Sequence, residues 1–159
     1  MKVLVAGSAH IDVMADVIHD EITGRHIDKR GNISLSVGGT AFNIASALIH
    51  LGDQVDLISV LRKGSLFTRL ILYRLKELGI GQYIQYDEIP EGGFISCRNN
   101  GEMEFAVNST PLENIHLFGD RYLPLFMNNA SAVVIDMNNS LKTINSFLTS
   151  MKSVKIKKY

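Results

Sequence analysis

Cysteine is nearly absent from this chain: Cys97 is the only one in 159 residues. An intrachain disulfide is therefore excluded, and so is a metal site built on several thiolates. The lone thiol fits a reducing compartment, and a cytoplasmic protein is expected. Net charge is lacking as well. Sixteen basic residues balance sixteen acidic ones, so no overall field favours nucleic acid, and no nucleic-acid partner is expected. Long hydrophobic runs are also missing. The amino-terminal run Lys2-Val-Leu-Val-Ala-Gly7 stops early, with His10 and Asp12 close behind. It is too short for export or membrane insertion and reads as a buried strand, so no membrane partner is expected.

Several catalytic signatures are absent. The chain has no Gly-Lys-Ser/Thr phosphate loop, and Gly7 stands alone in Gly7-Ser-Ala-His10 where a dinucleotide fingerprint needs three glycines. No serine sits in a Gly-x-Ser-x-Gly elbow. The histidines His10, His19, His26, His50 and His116 lack the spacing of a metal-binding pair. No metal and no catalytic residue is assigned from the sequence.

What remains is a folded chain. A hydrophobic fraction of 46% is enough for a core, and the length suits one domain. Charge is unevenly spread: residues 151–159 hold four Lys and no acid, leaving 12 basic against 16 acidic over 1–150. This basic tail reads as a frayed, solvated end or as a nucleic-acid or membrane-surface patch.

The pattern alternates between strand and helix. Core strands are expected at 2–7, 54–60 and 130–136. Helices are expected at 40–51, closed by Gly52, at 65–78, closed by Gly79, at about 119–127, and at 141–151. In the first, Ala41, Ile44, Ala45, Leu48 and Leu51 fall at helical spacing; in the second, Leu66, Leu70, Tyr73 and Leu78 share one side. Residues 13–22 and 32–37 read as two strands around a mobile charged loop between Gly24 and Gly31. Residues 82–87, 93–98 and 103–108 alternate like antiparallel strands. The result is an α/β fold, a Rossmann-like parallel sheet flanked by helices. A small antiparallel β lid is built from segments near 13–37 and 82–108, over the sheet edge where ligands bind.

Three features near that edge could touch a ligand. Gly38-Gly39 precede a helix, where they permit either close backbone approach or a tight turn. Asn43, in the first turn, offers a donor and an acceptor to a hydroxyl, or caps or packs the helix. Asp12, placed beyond the first strand, accepts from two vicinal hydroxyls or is a solvated loop residue. Asp136-Met-Asn-Asn139 follows a core strand and reads as a turn or a ligand contact.

The order strand–Asp12, flap, then Gly38-Gly39-x-x-x-Asn43-x-Ala45 with Leu51-Gly52 resembles the amino-terminal half of PfkB-type, ribokinase-like carbohydrate kinases. Gly101-Glu-Met-Glu-Phe-Ala-Val-Asn108 and Val134-Ile-Asp-Met-Asn-Asn139 are most similar to the pseudouridine kinase branch. The resemblance spans residues 1–150, taken as one truncated domain. It implies that Asp12, Gly38, Gly39 and Asn43 bind sugar hydroxyls. It also implies that the lid doubles as a dimer surface. In the full-length family, ATP and Mg²⁺ serve phosphoryl transfer to a hydroxymethyl oxygen. Specificity is expected in flap residues such as Phe94, Ser96 and Arg98.

Departures from the family are plain. The carboxy-terminal Asp-Thr-x-Gly-Ala-Gly-Asp motif, whose last Asp is the base, does not occur; Lys63-Gly64 replaces an Asp-x-x-Gly stretch, and His10 stands where many members have Asn. No nucleotide or metal cofactor is therefore expected for this chain alone, and activity is expected to be lost. Residues 132–135 are expected to leave an apolar parallel edge that needs a partner. Three functional readings follow: an inactive part of a kinase, a sugar- or nucleoside-binding module, or one piece of a split enzyme.

Overall fold

The structure, a computed structural model, describes residues 1–17 and 30–153. The expected charged loop, the strand reading over 18–22, His19, His26 and most of the basic tail lie outside the described residues.

The main sheet is fully parallel and runs β5-β4-β1-β8, with β1 at Lys2–Ala6, β4 at Gln54–Arg62, β5 at Gly81–Asp87 and β8 at Ala132–Ile135. Side chains alternate across a strand, so β1 feeds two cores. Val3 and Val5 join Leu57, Ala41, Ala45, Ile71 and Leu75 on one side. That side is covered by helices α1 (Thr40–His50) and α2 (Leu66–Glu77). Leu4 and Ala6 join Ile58, Leu123, Met127 and Phe147 on the other, beneath α3 (Gly119–Met127) and α4 (Leu141–Ser153). Burying each Val, Leu, Ile, Phe or Met among them stabilises the fold by about 1.5–3 kcal/mol. The expected α/β sandwich is therefore present.

The second sheet runs β3-β2-β6-β7, from β2 (His10–Val17), β3 (Gly31–Gly38), β6 (Gly93–Asn99) and β7 (Glu102–Ser109). It corrects the expected lid in two ways. First, β2 and β6 are parallel, while the outer pairs are antiparallel, so the lid is mixed. Second, residues 82–87 are not part of it. They form β5, paired in parallel with β4 from Asp56↔Gly81 to Arg62↔Asp87. A partly exposed edge strand alternates just as a lid strand does, and α2 supplies the crossover a parallel pair requires.

Helix α2 also buries a different face from the expected one. Thr68, Ile71 and Leu75 are buried, while Leu66, Leu70 and Tyr73 are exposed. Both stripes satisfy helical spacing. The inward one carries a threonine whose hydroxyl donates to the Arg62 carbonyl at 2.7 Å, so its polarity costs little. Ser65 caps this helix, accepting from Phe67 N at 3.0 Å and Thr68 N at 3.4 Å. In α1, Ala41 and Ala45 are buried as expected, together with Phe42, whereas Leu51 is exposed. Strand β8 pairs only with β1 among the described residues and forms the sheet's edge. No described helix is long and apolar enough to cross a membrane.

Candidate functional site

Asp12 is not a loop residue. It is the third residue of β2, opposite Ser36 on β3 and Phe94 on β6. Phe94 in turn faces Asn108 on β7. Residues in one cross-strand row share a face, so Asp12, Phe94 and Asn108 point the same way. All three line an open cleft of about 210 Å³. Across the cleft stand Gly39, Thr40 and Asn43 at the start of α1. Ser8, His10, Thr110 and Asn138 complete it.

Of the residues expected from the sequence, Asp12, Gly39 and Asn43 line the cleft directly, and Gly38 stands behind Asp12. A Cβ on Gly38 would lie 2.0 Å from Asp12 Oδ2, so the carboxylate occupies the space a side chain would take. Gly39 has φ +101, and a Cβ there would lie 2.5 Å from the Ser8 carbonyl oxygen. Glycine is required on both counts. Asn43 is exposed and is not the helix cap; that position is Gly39, which has no side chain to cap with. Phe94 lines the cleft, but Ser96 is buried and Arg98 is bound to Asp16, with hydrogen bonds of 2.7 and 3.0 Å. That pairing holds the Asp16 carboxyl below its usual range, chiefly through the hydrogen bonds.

Period two also puts His10 and Asp12 on one face of β2. His10 Nε2 lies 3.0 Å from Asp12 Oδ1. The approach is off the hydrogen-bonding direction, and Oδ1 is left shielded from solvent without an aligned donor. It is an acceptor open to a donor from outside the chain. Apart from His10 and Asp12, no ionisable side chain lines the cleft among the described residues. Asn138 belongs to the Asp136–Asn139 stretch read as a turn or a ligand contact, whereas Ser8, Asn108 and Thr110 were not singled out as ligand contacts in the sequence. Only the position of Asn108 at the end of an alternating run hinted at a shared face.

The donor set does not suit a nucleotide with its metal. The cleft has one carboxylate and no Lys or Arg, and no cluster of three His, Cys, Asp or Glu occurs among the described residues. No reaction step through ATP or Mg²⁺ is therefore derived from this chain's residues.

Comparison with solved structures identifies the fold. A carbohydrate kinase from Agrobacterium tumefaciens matches with a TM-score of 0.81 at 20% identity, over 98% of this chain and 51% of that one. Ribokinase from Giardia lamblia matches with 0.79 at 23% identity, over 96% and 50%. Ribokinase from Arabidopsis thaliana, complexed with ribose and ATP, matches with 0.72 at 15% identity, over 97% and 51%. No family model matches the sequence, and no curated protein does. The fold is ribokinase-like, and the chain spans about half the length of the structures it matches.

Proposed function

We propose that this chain binds a neutral sugar or nucleoside in the cleft between the lid and α1, and that alone it does not transfer phosphate to it. The supporting observation is the placement of Asp12, whose shielded Oδ1 has His10 beside it but no aligned hydrogen-bond donor, opposite the first turn of α1. Asp12 accepts from vicinal hydroxyls, while Asn43 and Asn108 give and accept further bonds. Gly38 and Gly39 keep the floor bare. A site built this way rejects molecules lacking the hydroxyls, because its polar groups are then stranded. A lining without Lys or Arg disfavours sugar phosphates. Phe94 adds an aromatic surface that suits a base, in keeping with the resemblance to pseudouridine kinases. A cytoplasmic location belongs to the same reading and is supported by the single Cys97.

Calorimetry on the full chain tests this with ribose, fructose, pseudouridine and ribose 5-phosphate. Saturable binding of a neutral member, absent for the phosphate, is expected. A coupled assay for ATP turnover is expected to read background, and turnover lost on Asp12→Ala would refute the claim of inactivity.

A second reading concerns partners. On the lid face opposite Asp12, the rows Leu35–Val13–Ile95–Val107 and Ile33–Ala15–Cys97–Phe105 are apolar. Ile33, Leu35, Ile95, Phe105 and Val107 are each more than half exposed. This favours two copies meeting lid to lid. The free edge of β8, Ala132-Val-Val-Ile135, favours a complementary chain that extends the sheet, as in a split kinase.

A further inference from the structure

Asp136 lies just past β8, outside the cleft, and is buried with 4% exposure. Its carboxylate is fully engaged. Oδ2 accepts from Ser8 Oγ at 2.7 Å and from Ser8 N at 3.2 Å, and Oδ1 accepts from Asn138 N at 2.9 Å. The Ser8 hydroxyl has one proton, spent on Asp136, which leaves its lone pairs free. Ser8 Oγ accepts from Thr40 N at 3.0 Å, and the Ser8 carbonyl accepts from Phe42 N at 3.1 Å. Thr40 and Phe42 are in the first turn of α1, whose own cap position is a glycine. Two of the first-turn donors of this helix are therefore met by Ser8, in the loop between β1 and β2. Gly7 makes the approach possible, because a Cβ there would lie 2.3 Å from Asp136 Cβ.

We infer that Asp136 is a positioning residue for the cleft, acting through the Ser8 hydroxyl to hold the first turn of α1, and with it Gly39, Thr40 and Asn43, in place for a ligand. The chain Thr40 N–H to Ser8 O–H to carboxylate is cooperative: the charge polarises the serine and makes its oxygen a better acceptor. It also sets a negative group at the positive end of the helix. Asp136 touches no ligand itself. Its role toward a ligand rests on the sugar-binding reading above.

The test uses the full chain with Ser8→Ala, Ser8→Thr and the isosteric Asp136→Asn. Without ligand, Ser8→Ala and Asp136→Asn should speed hydrogen exchange at Thr40 and Phe42 by about tenfold, relative to amides of α3. Ribose affinity should fall by about the same factor, and Ser8→Thr, which keeps the hydroxyl, should restore both affinity and slow exchange. Unchanged exchange at Thr40 and Phe42 in both variants overturns the inference. So does faster exchange with unchanged ribose affinity. If the wild-type chain binds none of the sugars, the sugar reading fails and Asp136 has no ligand to serve; the exchange data then separately decide whether the tether to α1 exists.

Discussion

Gly38 and Asp12 depend on each other, because the carboxylate fills the volume that any side chain at 38 would need. Gly38→Ala should cost about 1–3 kcal/mol of stability from overpacking and displace Asp12. Urea denaturation and a ribose titration check the two effects, and binding is expected to be lost. Gly39→Ala adds strain at φ +101, again worth about 1–3 kcal/mol. The Asp16–Arg98 pair gives a pH prediction. The folded carboxyl value is lowered, so its stabilisation is present above the ordinary Asp value of about 3.9 and is lost only as pH falls through the lower folded value. In a carbon-detected titration, Arg98→Ala should move Asp16 back up toward the ordinary range; an unmoved titration counts against the pair. Gly39 and Asn43 were legible as cleft residues because two glycines ahead of an apolar helix are a local pattern, and Asp12 because it follows the first core strand closely. Phe94 was legible only as a flap residue. Its row with Asp12 depends on a parallel pairing across some eighty residues of chain, and alternation carries no information about register between distant strands.

At the scale of elements, α2 shows where periodicity stops. Its outer stripe Leu66, Leu70, Tyr73 and its inner stripe Thr68, Ile71, Leu75 both recur at three and four residues. Hydrophobicity pointed to the outer one, and only the packing against the sheet selects the other. Ile71→Ala should therefore cost about 2–5 kcal/mol, while Leu70→Gln should stay within about 0.5 kcal/mol, both read from denaturant midpoints. The misassigned β5 has the same origin. An alternating strand announces one exposed face but not which sheet it joins. The helices α1, α3 and α4 were read correctly in kind, α1 from its apolar spacing and Gly52 and α4 from its amphipathic pattern, while the signal for α3 was weaker.

For the whole molecule, a two-sided parallel sheet sets the floor and a mixed sheet leans over it, so the cleft is where the two sheets meet. The outer lid face and the β8 edge make association the expected state. Sedimentation should show mass rising with concentration, and Leu35→Lys with Phe105→Lys should abolish lid-to-lid association while leaving sugar binding intact; wild-type-like association in this variant would point to β8 instead. The ribokinase-like fold was legible because strand and helix order is written along the chain. A lid surface and an open edge at 132–135 were expected as sites of association, but which lid residues face outward was not legible, because an exposed apolar face looks in sequence like a buried one. The most direct measurement is a calorimetric titration of ribose into the full chain and into its Asp12→Ala variant. The account predicts saturable one-to-one binding to the former and none detectable to the latter. Equal binding by both chains, or no binding of any neutral sugar by the wild type, would contradict it.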